Sequence, residues 1–103
     1  MKPKDEVAIR VWRTDPDDIF ALFPAIPATA PGYECTCYQP VGGHGAADYD
    51  LCIRKSRPAT KTEARPILQE LRRIGYRPRT IRRAGRRYLD ERLAAFRAMP
   101  SAK

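Results

Sequence analysis

The sequence has no apolar run approaching the roughly 20 residues needed to cross a membrane, and its opening, "MKPKDEVAIRVW", lacks the apolar stretch of a signal peptide. A soluble, cytoplasmic protein with no membrane partner is the expectation. Cysteine and histidine are scarce, at three and one. An odd number of cysteines, with Cys35 and Cys37 separated by one residue, does not make a disulfide scaffold, and reduced thiols are expected. Gly42, Gly43 and Gly45 are followed by no Lys-Ser/Thr pair and do not fit the dinucleotide spacing, which excludes a Walker loop and a Rossmann fingerprint. No ribonucleoprotein aromatic motif, helix-turn-helix pattern or zinc-finger spacing is present. The most telling absence is local: no acidic residue stands between Leu71 and Leu89.

What is present suits one small domain. A chain of 103 residues, 43% hydrophobic and 31% charged with ten prolines, buries one modest core and carries much loop. The predicted domain spans residues 1–98, with 99–103 as a flexible tail. The net charge of +8 is lopsided. Residues 1–53 hold four basic and eight acidic side chains, whereas residues 54–103 hold sixteen basic and four acidic. Such asymmetry points to a partner with a negative surface.

"VAIRVW" alternates, placing Val7, Ile9 and Val11 on one strand face and Arg10 and Trp12 on the other. "TDPDD" is turn chemistry that already accounts for Asp17 and Asp18. "IFALF" then completes a predicted hairpin, and "PAIPATAPG" is expected as an extended surface loop, since its three prolines lack donors. "YECTCYQ" alternates as a third strand. "ADYDLCIRKS" fits either a strand or a short helix capped by Asp48; Gly45 and Asp48 favour the helix.

The next helix is better marked. Thr60 and Glu63 have capping-box spacing, and Ala64, Ile67, Leu68, Leu71 and Ile74 make an apolar stripe. Gly75 stands where a left-handed terminating residue belongs, with Tyr76 folding back on Leu71. Pro66 is expected to distort the first turns. "RPRTIRR" reads as a short edge strand, and "RRYLDERLAAFRAM" as a closing helix with Leu89, Leu93 and Phe96 on one face. The fold class is therefore α+β: a small antiparallel sheet of three to four strands packed on one main helix, plus a C-terminal helix.

Two stretches are candidates for chemistry. Cys35, Cys37, His44 and Cys52 number enough ligands for zinc, but strong sites pair cysteines with two to four intervening residues, and this spacing does not. A Cys–His nucleophile with Asp48 or Asp50 orienting the ring is likewise not fixed by the residue order. The stretch reads as a structural turn, with no metal, cofactor or catalytic residue assigned.

The other stretch holds eight arginines, Arg72, Arg73, Arg77, Arg79, Arg82, Arg83, Arg86 and Arg87. Arg72 and Arg73 offset a helix dipole; the rest are free to form one surface. Guanidinium groups favour bidentate contact with phosphate or carboxylate. Tyr76 and Tyr88 flank the run and suit stacking on unpaired bases.

"IFALFP" (19–24), "CYQPVGGHGAADY" (37–49), "RPAT" (57–60) and "LQELRRIGY" (68–76) together resemble a family of short phage and mobile-element proteins without a settled activity. The family's loop reads closer to Tyr-x-His-Val-Gly-Gln-His-Gly; here Pro40 and Gly43 replace its first His and its Gln, so His44 stands alone. The resemblance implies a small accessory protein, a class in which inhibitors of host defence complexes recur, anti-CRISPR proteins among them. Three functional expectations follow. One is a non-enzymatic inhibitor that presses the arginine face onto an acidic protein or nucleoprotein surface of the host. The second is an accessory protein gripping DNA or RNA phosphates without sequence preference. The third is a small enzyme or zinc protein centred on Cys37, His44 and Cys52.

Overall fold

A computed structural model describes residues 5–28, 32–40, 42–82 and 87–98. Arg83, Arg86 and the anticipated tail at 99–103 lie outside the described residues. The chain forms β1 (Asp5–Trp12), β2 (Asp15–Pro27), β3 (Cys35–Gln39), β4 (Gly43–Ala47), α1 (Tyr49–Lys55), β5 (Ser56–Pro58), α2 (Lys61–Arg73), β6 (Pro78–Thr80) and α3 (Arg87–Ala98). The strand order β4-β3-β2-β1-β5 is antiparallel throughout, and β6 runs parallel to the start of β1. The α+β class holds, but among the described residues the sheet has six strands rather than three to four, and helices lie on both its faces.

Alternation along the strands builds two cores. Val7 and Ile9 of β1, Ala21 and Phe23 of β2 and Tyr38 of β3 pack with Ala64, Ile67 and Leu71 of α2. On the opposite face, Ala8, Phe20, Leu22 and Cys35 pack with Tyr49 of α1 and Tyr88 of α3. Registers Ala8↔Leu22, Ile9↔Ala21 and Leu22↔Cys37 keep each set on its own side, as the period of two requires.

Three strand expectations need correction. The β1–β2 turn falls on Arg13 and Thr14, with Trp12 opposite Asp15, so Pro16 lies inside β2. β2 also continues through Pro24 to Pro27 instead of becoming a loop. The register slips between Phe23 and Pro27, an irregularity of the kind that admits prolines within a sheet, and the Pro24 carbonyl accepts from Arg92 Nη1 at 2.7 Å. Finally, the glycine stretch is more than a turn: "GHGAA" pairs along its whole length with β3 as strand β4.

The helices follow their signals more closely. Asp48 caps α1 through the Leu51 amide at 3.1 Å. The Thr60–Glu63 capping box opens α2, which runs unbroken through Pro66. At its end, the Tyr76 amide reaches Leu71 O at 2.9 Å and the Gly75 amide reaches Arg72 O at 3.2 Å, with Gly75 at φ 115°. This is a complete Schellman termination. Ile74, at the end of the apolar stripe, is 44% exposed instead of buried, because the chain leaves the helix there.

Glu63 takes both Nη groups of Arg57 at 2.8 Å and the Thr60 amide at 2.9 Å. Arg57 foremost, these contacts hold its carboxyl at about 2, down from 4.5. Lowered in the folded state, the group stabilises the fold fully above its unfolded value, and that contribution disappears as pH falls from about 4.5 towards 2. Thermal melts across this window should show the wild type losing more stability than Arg57→Met; parallel losses would show that the pair carries no pH dependence.

Candidate functional site: the arginine-bearing end

The Schellman turn brings three of the sequence-predicted residues together. Arg72, Tyr76, Arg77 and Pro78 line a surface depression of about 320 Å³ at the C-terminal end of α2. Arg77 is placed from both sides of its peptide, its carbonyl accepting from the Asp5 amide at 2.8 Å and its amide donating to Asp5 Oδ2 at 2.9 Å. β6 then carries Arg79 beside Glu6 of β1, and the Ile81 amide returns to Val7 O at 2.8 Å. Arg82 follows, its backbone carbonyl held by Nη1 of the buried Arg10 at 3.1 Å. Arg72, Arg73, Arg77, Arg79 and Arg82 are all exposed.

Their electrostatic state differs. Arg73 pairs with Glu70 at 3.0 Å, one turn earlier on α2. Among the described residues, no carboxylate lies within ion-pair distance of Arg72, Arg79 or Arg82. Each charge therefore stands in water, where it costs little and attracts an anionic surface. Arg87 opens α3, and nothing further places it in this surface.

The two tyrosines do not share the role expected of them. Tyr88 is 5% exposed, packed in the core between α3 and the sheet, and its hydroxyl donates to Glu6 Oε2. It offers no stacking platform. The helical period explains the burial: α3 turns Tyr88 and Arg92, four apart, to the sheet, leaving Leu89, Leu93 and Phe96 partly covered at the flank. Tyr76 does border the depression, but one ring face lies on Phe23 with centroids 4.6 Å apart. Its hydroxyl is bonded to His44 Nε2 at 2.7 Å.

His44 belongs to a chain of contacts the sequence did not announce. Its ring meets the Tyr38 ring edge-on at 5.0 Å. Tyr38 donates to Glu70 Oε2 at 2.7 Å, and that hydrogen bond to a carboxylate raises its phenol above the ordinary value. Glu70 in turn holds Arg73. The chain clamps β3 and β4 to the end of α2 and fixes Tyr76 at the rim. Tyr38 and His44 face each other across the ladder; that pairing becomes legible only once "GHGAA" is known to be a strand.

The same ladder separates the cysteine and histidine candidates. His44 projects with Tyr38 toward α2, whereas Cys35 and Cys37 project with Ala47 and Gly45 toward α1. The sheet stands between imidazole and thiols, and among the described residues no group of three His, Cys, Asp or Glu is placed to hold a metal. The Cys–His pair meets the same obstacle. All three cysteines are free. Burial pushes the Cys35 thiol up to about 12 and Cys52 to about 11, and raises Cys37 as well. Native alkylation near neutral pH should therefore be slow at every cysteine and slowest at Cys35, with all three modified at once in denaturant. Fast native labelling of Cys35, read by mass spectrometry, would contradict this packing.

Arg10 was the missed residue with a visible signal: a cation amid the apolar alternation of β1. It is 4% exposed, its Nε donating to Ser56 Oγ and its Nη2 to Ser56 O, both at 2.9 Å. It ties β5 and the Arg82 segment to β1. No protein-family model, curated protein or solved structure matches the chain.

Proposed function

We propose that this chain is a small non-enzymatic binding protein of the phage or mobile-element kind. Its arginine-bearing end docks on an acidic surface of a host defence nucleoprotein complex and blocks it. One observation carries the reading: Arg72 and Arg77 meet at a single depression, exposed Arg79 and Arg82 follow along the chain, and no acidic residue interrupts the sequence through that region. Planar guanidinium groups held by a rigid turn and a strand suit bidentate pairing with carboxylates. Exposed Ile74 stands among them as an apolar contact, a mixture typical of protein interfaces rich in arginine and tyrosine.

Direct gripping of nucleic acid is the second reading, since the same cations suit phosphates. The burial of Tyr88 and the stacking of Tyr76 on Phe23 leave neither tyrosine that flanks the arginine run fully open to bases, which favours the protein partner. Affinity capture from a nuclease-treated bacterial lysate separates the two. Retention of a defence complex after nuclease treatment, at a stoichiometry that saturates, is the expected outcome. Loss of every partner on nuclease treatment would transfer the arginines to nucleic acid.

A further inference from the structure

The outer edge of β4 and the pocket beside it form a second candidate surface, remote in chemistry from the arginines. β4 ends the strand order, and among the described residues no strand pairs with its far side. Soluble proteins usually guard such edges with lysine, proline, bulges or covering segments. Gly43–Ala47 contains no charged residue and no proline, and pairs without a register shift. His44, Gly45 and Ala46 are exposed, and the His44–Tyr76 bond at 2.7 Å holds the strand in place from its other face.

Absent side chains at Gly43 and Gly45 leave the α1-side face of the sheet open up to this edge. There Trp12, Phe20, Leu22, Cys37 and Cys52, with Ala47, line a pocket of about 300 Å³. Trp12 and Phe20 stack at 4.4 Å as its aromatic wall. The volume is at the lower end of small-ligand pockets, about 300–1,000 Å³, and suits one apolar side chain. Asp48 borders the pocket and Asp50 follows it, while Asp17 and Asp18 lie beside Gln39 and Pro40 near the β3–β4 turn. Among the described residues none of these four carboxylates has a basic partner in an ion pair.

We propose that β4 is a strand-addition site for an extended, basic peptide segment of a partner protein. The backbone of that segment pairs with β4, one large apolar side chain enters the Trp12–Phe20 pocket, and flanking Lys or Arg residues meet the carboxylates. In such recognition, main-chain hydrogen bonds supply affinity and the pocket supplies selectivity. Acidic surroundings at β4 and basic ones beyond α2 make the two ends take partners of opposite charge.

The probe is a fluorescent peptide built on Lys-Thr-Phe-Thr-Lys, which presents Phe and both Lys side chains on one face. Fluorescence anisotropy should show saturable binding, weakened at least about tenfold when Phe is replaced by Ala or both Lys by Asp. Two protein variants separate edge from pocket. Ala46→Lys charges the edge. Gly45→Leu fills the pocket mouth; Gly45 has no positive φ, and a Cβ there makes only ordinary contact with Cys37 Sγ at 3.5 Å. Each variant should reduce binding by about tenfold or more, and bound peptide should slow alkylation of Cys37 and Cys52. No binding of the Phe peptide, or binding by both variants as tight as that of the wild type, would overturn the proposal. So would a concentration-dependent dimer abolished by Ala46→Lys, because the edge would then be occupied by a second copy of the chain.

Discussion

Reversing Arg72, Arg79 and Arg82 to Glu should abolish partner binding while leaving the melting temperature of the protein nearly unchanged. The two halves of that result have separate physical grounds. Each side chain is exposed and, among the described residues, none is in an ion pair, so the fold loses no ion pair when the charge is reversed and gives up only the small dipole interaction of Arg72 at the end of α2. Surface substitutions of this kind move stability by about 0.5 kcal/mol or less. At an interface, by contrast, each reversal replaces a charge-assisted hydrogen bond with like-charge repulsion. A loss of about 1.5–3 kcal/mol for even one such contact amounts to roughly tenfold to a hundredfold in affinity, and three together take binding out of measurable range. Calorimetric titration of the captured partner reads the affinity, and a thermal melt reads the fold. Wild-type affinity in the triple variant would remove this surface from the account.

Replacing Arg92 with Leu should produce the opposite pattern, a large loss of stability with no change in surface charge at the arginine end. Arg92 is 4% exposed on α3. Its Nε donates to Gly32 O at 3.0 Å, Nη1 to Pro24 O at 2.7 Å and Nη2 to Tyr33 O at 3.2 Å. Three carbonyls solvate a buried cation with no carboxylate paired to it among the described residues, and they join α3 to the irregular end of β2 and the chain that follows. Leucine would strand those acceptors and leave space at the guanidinium position. Losing a buried, multiply bonded charge costs about 3–5 kcal/mol, a large part of the about 5–15 kcal/mol that holds a domain together. Denaturant titration should show a lower midpoint with a similar slope. Gly32→Ala offers an independent check on the same junction, because Gly32 has φ +117° and a Cβ there would stand 2.9 Å from the Arg92 carbonyl oxygen. A shift below about 1 kcal/mol for both variants would mean that α3 is not anchored this way.

The elements read correctly from the chain are those written in local chemistry. Asp48, Thr60 with Glu63, and Gly75 each act within three or four residues of themselves, so the bounds of α1 and α2 were legible. β1 was legible because its alternation is unbroken and both its faces find partners. β4 was not, since Gly and Ala are poor strand formers and "GHGAA" is held by its ladder with β3 and the His44–Tyr76–Tyr38 contacts. The continuation of β2 through Pro24 depends on Arg92, which lies 68 residues away. At the arginine-bearing end, Arg72, Arg73, Arg77, Arg79 and Arg82 are all exposed, and Arg72 and Arg77 line one depression. Tyr88 was misassigned because the face that α3 buries is chosen by Glu6 and Arg92, not by its leucines.

The preference for an acidic protein over bare nucleic acid is the central claim. It is tested most directly by anisotropy of the purified protein against labelled duplex and single-stranded DNA across a salt series. The account predicts only the weak, sequence-independent binding of any basic surface, about 10⁻⁴–10⁻⁶ M near physiological salt, with Tyr76→Ala binding as the wild type does. Sub-micromolar binding to the single strand that falls linearly in log salt and depends on Tyr76 would contradict it and make nucleic acid the direct partner.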